Sequence, residues 1–376
     1  MIDHRPLPRL PERLALVLGG GGLKGFAHIG VFQALEERGV RPSLVSGTSI
    51  GALIAAAYAG GMPVAEMKKH ALSLSRKDLF RIDHMHMVTR RMLSPSLYLE
   101  APLQDVIDAI VPATTFRQLD IPLLVNTVDI ERGSQVVWGL PGLQDVSVAD
   151  AVYASCALPG FFPPRTIKGH TCVDGGVMDN LPVGVSMQGM DAMIGVDVGS
   201  TSLAAARRIK EKGFAAIYMR AAQTMMKSLQ TSQLANWAGP PLLLVRPAVW
   251  HFNWFNFTHT ERIIQLGYEA AHDALDRAGE SLLATGGVYP IRRLELSVDR
   301  ERCIGCRLCA VMAPDIMEMD VSGKARVVTP DVEWSRADGD FVHQCPTDAI
   351  GVTVVEGDLR RTTMEFQTLD PHPDAD

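Results

Sequence analysis

Apolar residues near the start of the chain come in short unbroken runs, separated by glycine-rich turns and Ala-rich stretches. The run 14–18, Leu-Ala-Leu-Val-Leu, has no polar position, as a strand covered on both faces should read. Gly19 to Gly22, Leu23, Lys24 and Gly25 follow, then a helical pattern over 26–38 that Gly39 stops. A second strand is expected near 43–45. It runs through Gly47-Thr48-Ser49-Ile50-Gly51 into an Ala-rich helix that ends at Gly60-Gly61. Strand and helix in alternation predict an α/β fold, with a mostly parallel sheet and helices on both faces. Further strands are expected at 123–125, 135–138, 193–196 and 242–245, and helices at 104–110, 203–229 and 260–278. Thr285-Gly286-Gly287 reads as a boundary, after which 292–298 alternates as a half-buried strand does.

Composition widens this picture to two modules. The 376 residues are 47% hydrophobic and 21% charged, enough for more than one domain. From Ile291 onward there are 10 Lys and Arg against 17 Asp and Glu, whereas the first 290 residues hold 26 against 25. Such a split points to modules with different partners. No basic face is present, so no nucleic-acid partner is expected. Residues 1–13 form a polar, proline-rich tail without an apolar signal core. Residues 45–65 are uncharged but broken by four glycines and Pro63, which reads as a buried helix rather than a span. Four of the six cysteines have ligand spacing, and Cys156 and Cys172 read as ordinary buried thiols. Together these features place the protein in the cytoplasm.

Gly47-x-Ser49-x-Gly51, between a strand and a helix, has the form of a nucleophile elbow. Gly20-x-Gly22-x-x-Gly25 also follows a strand and opens a helix, which is the dinucleotide pattern. The carboxylate that would hold a ribose is missing after the second strand, and Gly25 rather than Ser or Thr follows Lys24, against a Walker loop. Beside a plain turn, a third reading suits the serine better: an oxyanion hole, in which free backbone N–H groups face an ester carbonyl near Ser49. Lys24 is expected to be exposed and solvated, and His28 to pack inside its helix. A serine also needs a base. His251, His259 and His272 are available, but none stands in a catalytic-looking loop, and His170 precedes a different feature. Asp174-Gly175-Gly176 offers instead a carboxylate whose glycines permit close approach to another backbone.

In this order, Gly20 to Gly25, Gly47 to Gly51, Asp174 to Gly176 and the block 154–164 (Ala-Ser-Cys-Ala-Leu-Pro-Gly-Phe-Phe-Pro-Pro) resemble the patatin-like phospholipases. The similarity runs from about residue 14 to at least 185. It implies a patatin-like α/β/α sandwich over 14–285, with core motifs in 16–188. It also implies a Ser49–Asp174 dyad without histidine, an oxyanion hole from Gly20, Gly21, Gly22 and Gly25, an elbow shaped by Gly47 and Gly51, and an Asp-Gly-Gly motif completed by Gly175 and Gly176. The implied substrate is a lipid or other ester, with peripheral contact at the inner membrane surface. Residues 80–99 mix Met85, Met87 and Met92 with Arg81, Arg90 and Arg91; a flap over an acyl groove and a half-buried helix pair are both open. The aromatic run Trp250, Phe252, Trp254, Phe255, Phe257 reads as packing in preference to an interfacial anchor.

Cys303-x₂-Cys306-x₂-Cys309 with a remote Cys345-Pro346 resembles a single-cluster bacterial-type ferredoxin. The resemblance implies one 4Fe-4S cluster on Cys303, Cys306, Cys309 and Cys345, in a small α+β domain over 290–356, followed by a polar tail over 357–376. Ala313 stands where a second cluster would need a cysteine, and the spacing is crowded for a zinc tetrahedron. His343 is expected to be an exposed spectator. The acidic excess suits a basic redox partner protein. The cluster would pass electrons, sense redox state or brace its domain. A contrasting reading makes the chain an electron-transfer protein whose larger domain only docks lipid.

Overall fold

The computed structural model describes residues 7, 9–81, 96–199, 209–254, 257–356 and 359–361. Two compact units divide the chain. Met1–Thr201, Arg220–Gln230 and Ala238–Gly287 belong to the first, and Ser202–Met219, Thr231–Trp237 and Val288–Asp376 to the second.

The first unit is built on strands β1 (Leu14–Leu18), β2 (Leu44–Thr48), β3 (Leu123–Asp129), β4 (Ser134–Trp138), β5 (Arg165–Ile167), β6 (His170–Asp174), β7 (Ala192–Val196) and β8 (Leu242–Val245). They are ordered β5-β6-β3-β2-β1-β7-β8, with β4 also on β3. β3, β2, β1, β7 and β8 run parallel, and every residue of these five is buried. Their apolar runs therefore reflect cover on both faces. The flanking helices are α1 (Ala27–Glu37), α2 (Ile50–Ala59), α3 (Val64–Ser73), α4 (Glu100–Ile110), α5 (Val148–Cys156) and α7 (Thr260–Ala278), and of α6 (Gly213–Ala235) only Arg220–Gln230 belongs to this unit.

Two features differ from the periodicity reading. The antiparallel hairpin β5–β6 has no counterpart among the expected strands, because its outer positions are only half-buried or exposed and show no apolar run. The helix expected over 203–229 extends to Ala235 as α6, while 203–208 and most of the 80–99 stretch lie outside the described residues.

The hairpin sets the site. β4 occupies one edge of β3 from Val125 to Asp129. On the other edge β2 pairs with Leu123–Asn126, and β6 takes over at Thr127–Asp129. Thr48 stands opposite Asn126 and Asp174 opposite Thr127, so β2 and β6 meet end to end. The sheet also grows outward from β1 in both directions, which opens a crevice at the carboxyl ends of the central strands.

In the second unit, Asp331–Trp334, Arg292–Val298, Ile350–Glu356 and Leu359–Arg361 form an antiparallel sheet in that order, beside the hairpin Met317–Met319/Ala325–Val327. Leu359–Arg361, expected in a loose tail, thus forms a strand. Leu294 and Leu296 alternate inward and pack with Met317, Trp334, Phe341, Val352, Val354, Cys303 and Cys309.

Candidate active site and cysteine pocket

Ser49 is the first residue beyond β2 and carries φ 56° and ψ −128°, a strained backbone for a residue with a side chain. The turn is enforced by close backbone contact. A Cβ on Gly47 would stand 2.4 Å from the Gly51 carbonyl carbon, and one on Gly51 2.2 Å from the Leu18 oxygen. The Ser49 N–H donates to Ser155 Oγ (2.8 Å), which donates to the Asn126 carbonyl (2.7 Å). The half-buried Ser49 side chain stands close enough to the Asp174 carboxylate to oppose the rise of its pKa.

Asp174 is only 5% exposed and also accepts the Gly176 N–H at 2.8 Å. Burial pushes its carboxyl up to about 6, against the opposing influence of Ser49 and of the Gly176 N–H. Its own N–H donates to Ala157 O (3.0 Å), which ties it to the 154–164 block. The Cys156 thiol, half-buried there, is pushed far up by desolvation and by the Asp174 charge. Cys172 is fully buried. Gly175 lies against Asn126: a Cβ there would stand 2.4 Å from the Asn126 carbonyl oxygen.

The glycine loop arrives from β1. The Gly19 N–H donates to Val196 O (2.9 Å), and the Gly20 N–H to Asn180 O (3.0 Å); Asn180 Nδ2 returns a bond to Gly20 O (3.1 Å). The Gly20 N–H is therefore engaged, and it is not a donor for an oxyanion. Gly25 lies in the one-turn 3₁₀ helix Gly22–Phe26, where a Cβ would meet Ile50 Cγ2 at 2.2 Å. It lets the loop pack on α2. Among the described residues no backbone acceptor takes the N–H of Gly21 or Gly22. Buried His28 donates from Nε2 to Gly19 O (2.8 Å), and burial lowers its pKa to about 4, which keeps the ring neutral.

Lys24 departs from expectation. It is buried, with its ammonium 5.9 Å from the Trp254 ring centroid. The 3₁₀ turn carries it under Trp254, whose carbonyl accepts the Leu23 N–H (2.9 Å). Desolvation lowers the ammonium to about 8, and the charge of buried Asp197 opposes that fall. Trp254 thus packs, as read for the aromatic run; Phe255 lies outside the described residues.

His170 Nδ1 meets Asp129 Oδ2 at 2.8 Å, at the far end of β6 from Asp174. Four residues along a strand is about 13 Å, beyond hydrogen-bond reach. His251 packs on Trp250 and Phe252, His259 meets Thr258, and His272 stands 3.4 Å from Glu37. Sequence reasoning missed Asn180 and Ser155. Ser155 stands inside the quoted block, and Asn180 follows the Asp-Gly-Gly turn closely, so each was near a signal without carrying one.

In the second unit Cys303, Cys306, Cys309 and Cys345 line one pocket, with Ile304, Leu308, Met319 and Ile350 among its apolar walls. The Ala325 N–H donates to Cys303 Sγ (3.4 Å) and the Ala349 N–H to Cys345 Sγ (3.3 Å). Burial raises Cys345, but N–H groups of Ala349, Thr347 and Ile350 outweigh it and hold the thiol below its ordinary value. Burial pushes Cys309 up. Four thiols around one apolar pocket, with N–H groups on sulfur, fit an iron–sulfur cluster. Among the described residues no three His, Cys, Asp or Glu side chains converge on a single metal ion. His343 does not line this pocket; it is half-buried and pairs with Asp340, rather than standing exposed.

Residues 16–187 match the patatin-like phospholipase family, and residues 298–352 match the 4Fe-4S single cluster domain of ferredoxin I. The chain carries a patatin-like phospholipase domain joined to a single-cluster 4Fe-4S domain. An uncharacterized NTE family protein of Mycobacterium tuberculosis is 33% identical over 201 residues, 52% of this chain and 51% of that one. The lysophospholipase NTE1 of Mycosarcoma maydis is 34% identical over 203 residues, 51% of this chain and 10% of that one. The chain thus spans about half the length of the mycobacterial relative it matches. VipD from Legionella pneumophila aligns with TM-score 0.39 and 20% identity, over 71% of this chain and 67% of that one. Among the described residues no helix is long and apolar enough to cross a membrane.

Proposed function

We propose that this chain is a serine acyl hydrolase acting on lipid esters, in the range from phospholipase and lysophospholipase to simple esterase. The observation that carries the reading is the juxtaposition of the strained Ser49 and the buried Asp174, where the strand ends of β2 and β6 meet on β3. Ser49 Oγ attacks the ester carbonyl carbon while an Asp174 oxygen takes its proton. The N–H groups of Gly21 and Gly22 hold the oxyanion. Asp174 returns the proton to the leaving alkoxide, and the acyl group stays on Ser49. Water then attacks the acyl-enzyme with Asp174 as base again, and the fatty acid leaves. The family match over 16–187 and the similarity to a relative named as a lysophospholipase support the substrate class.

Cys303, Cys306, Cys309 and Cys345 would hold one 4Fe-4S cluster, which supplies one-electron chemistry. Hydrolysis runs on Ser49 and Asp174 alone. Six free cysteines suit a reducing, cytoplasmic setting.

A fluorophosphonate probe on the purified iron–sulfur protein should label Ser49. Ser49→Ala should abolish labelling and reduce ester hydrolysis at least about 10³-fold with the fold intact. No labelling of folded protein would reinstate the lipid-docking reading. Equal rates in oxidised and dithionite-reduced protein argue against redox control of the hydrolase and leave electron exchange or bracing, whereas unequal rates assign the cluster to control of the hydrolase.

A further inference from the structure

The hairpin Met317–Met319/Ala325–Val327 does more than extend the core of the second unit. Met319 and Ala325 form part of the wall of the cysteine pocket. The turn between the two strands meets Cys303 at its sulfur and at its backbone. The Ala325 N–H donates to Cys303 Sγ at 3.4 Å, and the Lys324 ammonium donates to the Cys303 carbonyl. Gly323 closes on the same loop: a Cβ on Gly305, where φ is +71°, would stand 2.3 Å from the Gly323 oxygen. Three successive residues of one turn therefore touch the first half of the Cys303–Cys309 loop.

Asp320 holds that turn in place. Its carboxylate accepts the N–H groups of Ser322 (2.9 Å) and Lys324 (3.0 Å) and the Ser322 hydroxyl (2.7 Å), and it pairs with Arg300. The Asp320 N–H donates back to the Lys324 carbonyl (2.8 Å). The backbone of Lys324 is thus fixed, and its half-buried side chain is aimed along the pocket wall. A backbone carbonyl needs only an ordinary N–H to be satisfied. A cation placed on it acts also on whatever the neighbouring sulfur binds. Residues 291–376 hold 10 Lys and Arg against 17 Asp and Glu, so their field opposes added negative charge. Lys324 counters that field at the pocket itself, where water screens it least. Arg300, Arg302 and Arg307 are close in sequence, but each is exposed and therefore screened.

We propose that Lys324 is a positioning residue of the cysteine centre, whose charge, fixed on the Cys303 carbonyl, raises the reduction potential of an iron–sulfur cluster bound there. The inference rests on the reading that Cys303, Cys306, Cys309 and Cys345 hold one 4Fe-4S cluster. Reduction adds one electron and makes or breaks no bond. The reduced state carries one more negative charge and so gains more from the ammonium than the oxidised state does. The test is a dithionite titration of the purified full chain at controlled potential, followed by visible absorption and electron paramagnetic resonance. Lys324→Gln keeps an N–H donor and loses the charge. At a fixed potential it should shift the oxidised-to-reduced ratio about tenfold toward oxidised, about 59 mV for one electron, with iron content unchanged. Lys324→Met, which loses donor and charge together, should fall at least as far and gives a second reading of the same shift. Lys324→Arg, still charged, should stay within about twofold of the parent. Arg300→Gln removes the same charge from an exposed site and should also stay within about twofold. Parent potentials in both neutral variants overturn the proposal. An equal fall in Arg300→Gln would make the effect one of net charge, and an equal fall in Lys324→Arg one of geometry; either overturns it. Loss of iron from both neutral variants with the fold intact makes the turn a brace and overturns it as well. A parent chain that binds no iron removes the cluster reading and this inference together, whereas an iron-replete parent without the shift removes only the inference.

Discussion

The Ser49–Asp174 site and the cysteine pocket are built in opposite ways. The first joins segments far apart in the chain: the loop after β1, the elbow after β2 and the end of β6. None of these residues is chemically special alone. Two strands meeting end to end on β3 bring serine and carboxylate together, and burial then lifts the carboxyl to about 6. The pocket takes three thiols from seven consecutive residues, and thiols are suited to iron wherever they stand. The difference teaches that the acyl site is a property of the sheet, whereas the pocket is largely a property of one loop plus Cys345.

Asp174→Asn should break the acyl site most severely. Ester hydrolysis should fall about 10³-fold or more, because an amide cannot take the Ser49 proton. The same change should raise thermal stability. The folded carboxyl lies above its ordinary range, so its ionised form penalises the native state above about pH 6. Removing that charge should stabilise the protein at pH 8 by about 1–3 kcal/mol, seen in chemical denaturation. Loss of activity with loss of stability would mean that Asp174 is structural, a turn carboxylate capping Gly176.

Cys345→Ser tests the other half. It should remove most of the visible absorption and bound iron, of about four atoms per chain in the parent. Soluble-ester hydrolysis should stay within about twofold, since no step passes through the cluster. A hydrolase that failed with the cluster would collapse the distinction between the two regions.

The contrast also explains what could be read from the residues. β1, β7, β8 and α7 were legible because burial on both faces, or on one stripe, writes a local pattern. The three cysteines were legible because their spacing is short. Asn180 was not: its value lies in bonding Gly20, 160 positions away, and nothing local marks that. Lys24 misled for a related reason. A lysine reads as solvated until a tryptophan from residue 254 is laid over it. Gly20 looked like a donor, yet its N–H meets the Asn180 carbonyl, a partner only the fold supplies.

The mildest prediction asks whether the fold truly makes the acyl chemistry. Asp174 is the proposed base, so the active form is the carboxylate, present above its pKa and lost as pH falls through it. With that pKa at about 6, kcat/KM on a soluble ester should be level near pH 7 and fall about tenfold per unit below 6. His28 does not contribute a limb there, because burial keeps it neutral down to about 4. Ser155→Ala removes the hydroxyl that accepts the Ser49 N–H and donates to Asn126, without touching Asp174. It should lower the rate several-fold, with a loss of about 1–2 kcal/mol for the broken buried bonds, and leave the limb near 6. An acid limb near 4 in the native protein would mean a solvated, ordinary carboxylate, and the elbow would then owe its reactivity to something other than the buried meeting of β2 and β6.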